Sequence, residues 1–139
     1  MRRWMEQVFR RATRLSVAEA YARWAPNYPP RAHNRFMELE ERAVLELLPD
    51  VRGRAAIDLA CGSGRYLKRL LQRGASPVIG LDTSAPMLSR ARAVSPNLIR
   101  ADLLALSLHR HLFQTIVCGL AVGHVQDLQA VMCEISRVL

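Results

Sequence analysis

The chain has 139 residues, which is enough for one domain with a buried core and short for a doubly wound α/β sheet. Half of its residues are hydrophobic, yet no run of about 18 apolar residues occurs, so the sequence predicts no membrane-spanning helix. The formal net charge of +8 permits nucleic acid, anionic lipid or an acidic carrier protein as a partner, and it fits an arginine-rich solvated surface equally well.

The cysteines are three in number and widely spaced, at Cys61, Cys118 and Cys133. An odd count without a C-x-x-C pair argues against both a disulfide framework and a zinc site. We therefore expect reduced thiols, a cytoplasmic location and no metal centre.

The first fourteen residues alternate arginines with apolar side chains and predict a basic amphipathic helix. Three interpretations stay open for it: a lid or packing helix of the domain, a helix that makes peripheral contact with a membrane, and an organellar presequence. We expect residues 1–34 to form an N-terminal basic amphipathic and lid segment, and residues 35–139 to form the core.

Two further helices are predicted before the first strand. Ser16 and Glu19 have capping-box spacing and begin a helix that should end near Pro26. A second helix spans residues 35–48. Its apolar side chains are expected to face the sheet, while Glu38, Glu41 and Arg42 face solvent. These apolar positions are Phe36, Leu39, Ala43, Val44, Leu47 and Leu48.

The first strand is a short apolar run that ends at Asp58 and Leu59 and leads into a glycine-rich turn, Ala60 to Gly64. Helical periodicity resumes at Arg65, so free backbone N–H groups at the helix start make this turn a ligand site. A dinucleotide fingerprint would need a third glycine where Leu67 stands, and Asp58 would repel a phosphate. An anionic site of this kind suits a ligand with cationic groups and hydroxyls.

Two more strands end in acids in the same way. The strand at residues 77–82 ends at Asp82, which lies 18 positions after Gly64, at the distance where a doubly wound fold presents a carboxylate to ribose hydroxyls. Thr83 and Ser84 then open a helix. The strand at residues 96–102 ends at Asp102. The two strands that end alike at Asp58 and Asp82 therefore predict a ligand site.

The fourth strand, at residues 113–118, is followed by a loop that carries His124, the only histidine placed where chemistry could occur. His109 and His111 are expected at the surface. Asp127 should cap a last helix with an apolar stripe, and the chain stops inside that stripe. The stripe comprises Leu128, Val131, Met132, Ile135, Val138 and Leu139. We expect a sheet of order 3-2-1-4 with an exposed apolar edge at the fourth strand, either in an N-terminal piece of a longer protein or in a variant completed by a homodimer.

The segment from Asp58 to Gly64 resembles motif I of the class I S-adenosylmethionine-dependent methyltransferases, D/E-x-G-x-G-x-G, with Ala60 in the first glycine position. Tyr21 to Tyr28 resembles the Y-D-x-x-A-x-x-Y element that precedes motif I in many small-molecule methyltransferases. The resemblance covers about Tyr21 to Leu139. It implies an α/β fold with a doubly wound, Rossmann-like, mostly parallel sheet and N-terminal lid helices.

The resemblance also implies a cofactor, S-adenosylmethionine, with S-adenosylhomocysteine as the product. Asp82 would meet the ribose hydroxyls and Asp102 the adenine amino group. The cofactor-binding residues implied are Asp58, Ala60, Cys61, Gly62, Gly64, Asp82, Thr83, Met87, Asp102, Leu103 and Gly119. Tyr21 and His124 are the implied catalytic residues, with His124 as the base for a phenol, amine or carbon-acid acceptor.

Within this family the sequence is most similar to the branch with the malonyl-carrier-protein methyltransferase of biotin synthesis and the quinone-ring methyltransferases. That likeness implies a small-molecule or acyl-carrier-bound acceptor, in-line methyl transfer and no nucleic-acid partner. Two alternatives stay open: a catalytically inactive methyltransferase-like binding or partner subunit, and an NAD-type dinucleotide-binding domain.

Overall fold

The structure is a computed structural model that describes residues 15–139. The basic amphipathic helix predicted for residues 1–14 lies outside the described residues. Among the described residues, no helix is long and apolar enough to cross a membrane.

Four parallel strands form the sheet of the described chain. They are β1 (Ala56–Leu59), β2 (Val78–Asp82), β3 (Leu98–Arg100) and β4 (Thr115–Val117). Their order is β3-β2-β1-β4, as the sequence predicts. The carboxyl ends of β1, β2 and β3 therefore lie side by side, with Leu59 opposite Leu81 and Asp82 opposite Arg100. Within residues 15–139, β4 pairs with β1 alone and is an edge strand.

Within residues 15–139, five α-helices connect or flank these strands: α1 (Val17–Trp24), α2 (Arg35–Leu47), α3 (Arg65–Gln72), α4 (Ala85–Ala91) and α5 (Leu128–Val138). Short 3-10 turns follow α1 and β4, at Ala25–Asn27 and Val122–His124. The predicted caps are present: Ser16 and Glu19 form a capping box, and Asp127 accepts the Ala130 N–H at 2.9 Å.

Both faces of the sheet are covered, as a parallel sheet requires. Along β1 the side chains alternate between two cores, because successive strand residues point to opposite faces. Ala56 packs with Leu67, Leu70 and Val78 on one face. Residues on the other face are Ile57, Leu59, Leu81, Phe113, Val131 and Val138.

The predicted orientation of α2 is only partly right: Val44 and Leu48 pack against the core, and Glu38 and Arg42 are exposed, as expected. Phe36, Leu39 and Leu47 are 67%, 57% and 83% exposed, whereas Glu41, expected in solvent, is buried. The cause is electrostatic: the Glu41 carboxylate accepts hydrogen bonds from the guanidinium groups of Arg65 and Arg69 on α3. These contacts turn the helix so that Met37 and Glu41 face inward.

The predicted stripe on α5 is buried only in part. Val131 and Val138 are fully buried, but Leu128, Met132 and Leu139 are about half exposed. The two valines reach the core because they lie to one side of the stripe, where α5 meets the sheet.

Candidate functional site

A cavity of about 480 Å³ opens at the carboxyl ends of the strands. In a doubly wound sheet this edge is where ligands bind. The cavity is lined by twelve of the thirteen site residues that the sequence predicts: Tyr21, Asp58, Ala60, Cys61, Gly62, Asp82, Thr83, Met87, Asp102, Leu103, Gly119 and His124. The thirteenth, Gly64, does not line the cavity.

The glycine-rich turn has a left-handed backbone at three positions: Ala60 (φ +54°), Gly62 (φ +54°) and Gly64 (φ +93°). The turn expected from the glycine motif thus forms with alanine at its first position, where the Cβ atom strains the backbone. Gly64 caps the start of α3, and a Cβ there would lie 3.2 Å from Val94 Cγ2.

Leu67 occupies the place of the third glycine of a dinucleotide fingerprint and is fully buried. The close helix–strand approach is made instead by Gly80 on β2, where a Cβ would lie 2.7 Å from Leu67 Cδ1. The small residue that lets α3 pack on the sheet is therefore supplied by the neighbouring strand.

Asp82 ties two elements of the site together. Its Oδ2 accepts the N–H of Gly62 at 2.8 Å, and its Oδ1 accepts the N–H of Ser84 at 2.8 Å. The side chain is half-buried at the cavity wall. The acid at the end of β2 therefore holds the glycine turn after β1 and the start of α4 in fixed positions.

Asp58 lies deeper, with only 1% of its surface exposed. Its Oδ2 accepts the N–H of Leu67 at 3.0 Å. Burial raises the pKa of Asp58 to about 8, and this outweighs the lowering by the Leu67 N–H and the Arg65 charge. Near pH 7 this raised pKa favours the neutral acid, whereas the sequence predicts an anionic group.

The third acid, Asp102, is exposed at the mouth of the cavity after β3. Its Oδ1 accepts the N–H of Leu104 at 2.9 Å, which orders the turn that follows. Buried Met87 and Leu103 add apolar wall on either side of this region.

Tyr21 and His124 meet across the cavity. The Tyr21 hydroxyl lies 3.2 Å from His124 Nε2, and the two rings are edge to face with centroids 5.7 Å apart. Burial raises the pKa of Tyr21, so this hydroxyl keeps its proton at physiological pH. The helix α1 is thereby joined to the loop after β4.

The contacts of Arg65 and Tyr66 beside the cavity could not be predicted from the sequence pattern. The Arg65 guanidinium donates to Glu40 Oε2 at 2.8 Å and lies 4.3 Å from the centroid of the Tyr66 ring. The Tyr66 ring lies so close to Gly119 that a Cβ atom at this position would clash with it. Arg65 and Glu40 lie 25 residues apart, and Tyr66 and Gly119 lie further apart still, beyond the reach of helical periodicity.

A family model described as a methyltransferase domain matches residues 57–139. The malonyl-[acyl-carrier protein] O-methyltransferase of Enterobacter lignolyticus is 32% identical over 126 residues, which are 89% of this chain and 49% of that protein. The crystal structure of an S-adenosylmethionine-dependent methyltransferase from Mesorhizobium loti is 36% identical, with a TM-score of 0.67, and the match covers 72% of this chain and 48% of that one.

A structure described as a DhpI–SAM–HEP complex has a TM-score of 0.69 at 26% identity, over 86% of this chain and 58% of that one. The chain thus spans about half the length of the relatives it matches. The family match covers more than half of the chain and includes three of the four strands in full and the end of the first. The chain therefore belongs to the methyltransferase-domain family.

Proposed function

We propose that this chain binds S-adenosylmethionine in the cavity at the strand ends and acts in methyl transfer to a small-molecule or carrier-bound acceptor. One observation carries the proposal: Asp58, Asp82 and Asp102, from the ends of three neighbouring strands, line a single cavity with the glycine turn. A nucleoside that bears a cationic amino-acid tail has hydroxyl, amino and ammonium donors for three such acids.

The residues fit this cofactor in size and in donor chemistry. The cavity of about 480 Å³ lies within the range of roughly 300–1,000 Å³ typical of small-molecule sites. Each oxygen of Asp82 accepts one backbone N–H, which leaves lone pairs for ribose hydroxyls. Oδ2 of Asp102 accepts no hydrogen bond from residues 15–139, so it is free to accept from an adenine amino group.

The cofactor, when bound, would supply an electrophilic methyl group on a sulfonium, with S-adenosylhomocysteine as the leaving group of an in-line transfer. The residues of the chain position the reactants and exclude water. Tyr21 and Tyr28 would cover the cavity from the lid side. His124 would remove the proton of a phenol, amine or carbon-acid acceptor, while the Tyr21 hydroxyl holds its ring in place. A carboxylate acceptor needs no base.

The nature of the acceptor rests on relatedness and charge. The malonyl-carrier-protein relative and the net charge of +8 both support an acyl group on an acidic carrier. In this proposal residues 1–34 form the lid segment and residues 35–139 the cofactor-binding core. The cysteines Cys61, Cys118 and Cys133 are all free, which supports a cytoplasmic location.

Calorimetric titration with S-adenosylmethionine and S-adenosylhomocysteine tests the proposal. Asp82→Asn should weaken binding of both about 10-fold to 100-fold, because it removes a charged acceptor. Asp50→Asn, an exposed acid outside the cavity, is the matched control and should bind as the unmodified chain does. Failure of the folded chain to bind either compound would refute the proposal. Binding without turnover would support the inactive binding subunit instead.

A further inference from the structure

The exposed face of α2 carries a continuous apolar stripe. Phe36, Leu39, Ala43 and Leu47 recur at intervals of three or four residues and fall within about 80° of arc on the helix. All four are exposed, and Leu47 reaches 83%. No side chain of residues 15–139 covers them. Single exposed apolar residues are normal, but a stripe of four along a helix of 13 residues marks a contact surface.

Charged residues lie along one side of this stripe. Arg35 stands at its beginning and Glu46 near its end, and both are solvent-exposed. Within the chain, Arg35 pairs weakly with Glu38 at 3.9 Å, and Arg42 pairs with Glu46 at 4.0 Å. Such exposed pairs contribute little to stability, so these groups are available to a partner.

The stripe is complementary to itself when one copy is turned end for end. Antiparallel pairing of two α2 helices brings Leu39 opposite the partner's Ala43, and Phe36 opposite the partner's Leu47. The small side chain of Ala43 allows the two helices to approach at the centre, while the larger groups fill the ends. Each half of the contact repeats the other, as a twofold interface requires.

The charges favour the same arrangement. In the antiparallel pair Arg35 lies beside the partner's Glu46, and the symmetry makes this ion pair twice. In parallel twofold pairing the partner's Arg35 lies at the same level on the opposite side of the contact, so Arg35 has no partner Glu46 beside it. Only the antiparallel orientation both buries the apolar stripe and pairs Arg35 with the partner's Glu46.

We propose that α2 is a homodimer interface in which two copies of this chain pair antiparallel through Phe36, Leu39, Ala43 and Leu47. The contact is one helix of about 20 Å on each side, which is small for a permanent interface. We therefore expect a weak dimer in equilibrium with the monomer. Its location on α2 is distinct from the β4 edge, where the sequence alone suggested pairing.

Sedimentation equilibrium of the full chain from about 1 μM to about 500 μM tests the interface. The unmodified chain should shift from monomer to dimer across this range. Leu39→Glu should weaken the dimer at least about 10-fold, because it places two carboxylates in the apolar contact. Met132→Glu, at a site on α5 with similar exposure, is the matched control and should dimerise normally. Circular dichroism melting checks that both variants stay folded.

Charge reversal tests the orientation. Arg35→Glu and Glu46→Arg should each weaken the dimer about 3-fold to 10-fold, and the double variant should restore it because the pairs reform with opposite sign. A chain that stays monomeric throughout the range, including one whose stripe is covered by its own residues 1–14, overturns the proposal. So does a dimer that survives Leu39→Glu, or a double variant no tighter than the single ones.

Discussion

The Tyr21 hydroxyl lies 3.2 Å from Nε2 of His124, although 103 positions separate the two residues in the chain. This bond joins helix α1 to the loop after β4. Replacing Tyr21 by Phe removes the bond and keeps the ring. Since an exposed hydrogen bond of this kind contributes about 0.5–1.5 kcal/mol, amide protons of α1 should exchange with solvent about 2-fold to 10-fold faster.

Hydrogen exchange followed by mass spectrometry measures this effect on peptides from residues 15–27. Tyr28→Phe is the matched control, because the Tyr28 ring lies 6.1 Å from Tyr21 and its hydroxyl has no partner among residues 15–139. Equal exchange in the two variants would contradict a role for the bond in holding α1 against the loop after β4.

Ala60 occupies a left-handed backbone conformation with φ +54°. A left-handed alanine strains the folded state by about 1–2 kcal/mol. Glycine relieves this strain, but it also increases the conformational entropy of the unfolded chain, which offsets part of the gain. Ala60→Gly should therefore raise the free energy of unfolding by up to about 1 kcal/mol in urea denaturation. Ala43→Gly, in the middle of α2, should lower it by a similar amount. A loss of stability in Ala60→Gly would show that the methyl group contributes packing that outweighs the strain.

The raised pKa of Asp58 makes a definite prediction about pH. Its value rises from 3.8 to about 8 on folding, so between these values the folded protein retains a proton that the unfolded chain releases. This contribution to stability is complete below about pH 4 and is lost as the pH rises to about 8, at no more than about 1.4 kcal/mol per unit.

Asp58→Asn should remove this dependence, since an amide can accept the Leu67 N–H without titrating. The measurement is the difference in unfolding free energy between the two proteins from pH 4 to pH 8. That difference should change steadily in favour of the variant. A constant difference would mean that Asp58 is already ionised at pH 5 to pH 7.

Gly119 lines the cavity next to the Tyr66 ring. A Cβ at this position would clash with the Tyr66 ring and lie 3.0 Å from Glu40 Oε1. Gly119→Ala should therefore destabilise the chain by about 1–3 kcal/mol. Gly123→Ala is the control, because nothing lies within 4 Å of its added Cβ, and it should leave the midpoint of thermal unfolding nearly unchanged. Equal effects would mean that the Tyr66 ring moves aside freely.

Glu41 is the buried acid of α2 and receives bonds from Arg65 and Arg69. Glu41→Ala should cost about 3 kcal/mol, because Arg65 then remains buried with Glu40 as its only carboxylate. Glu38→Ala removes an acid from the exposed face of the same helix and should cost less than about 1 kcal/mol. Urea denaturation of both variants gives the comparison, and similar losses would mean that the buried network is not stabilising.

The positions of the three acids could be predicted because parallel strands deliver their carboxyl ends to one edge, whatever the details of packing. Which face of α2 packs on the domain could not be predicted. Apolar residues occur on two sides of this helix, and the side that faces inward depends on hydrogen bonds from Arg65 and Arg69 to Glu41, which form only in the folded chain. The raised pKa of Asp58 could not be predicted either, because the burial of this side chain depends on how closely α3 covers β1.

The two backbone hydrogen bonds of Asp82 bear on the speed of ligand capture. They join the glycine turn to the start of α4 through bonds that the chain itself supplies. We therefore expect a ligand to bind at this end of the sheet without a rearrangement of the turn. Its association rate should then follow diffusion and access to the cavity, and differences in affinity among ligands should arise mainly from their dissociation rates.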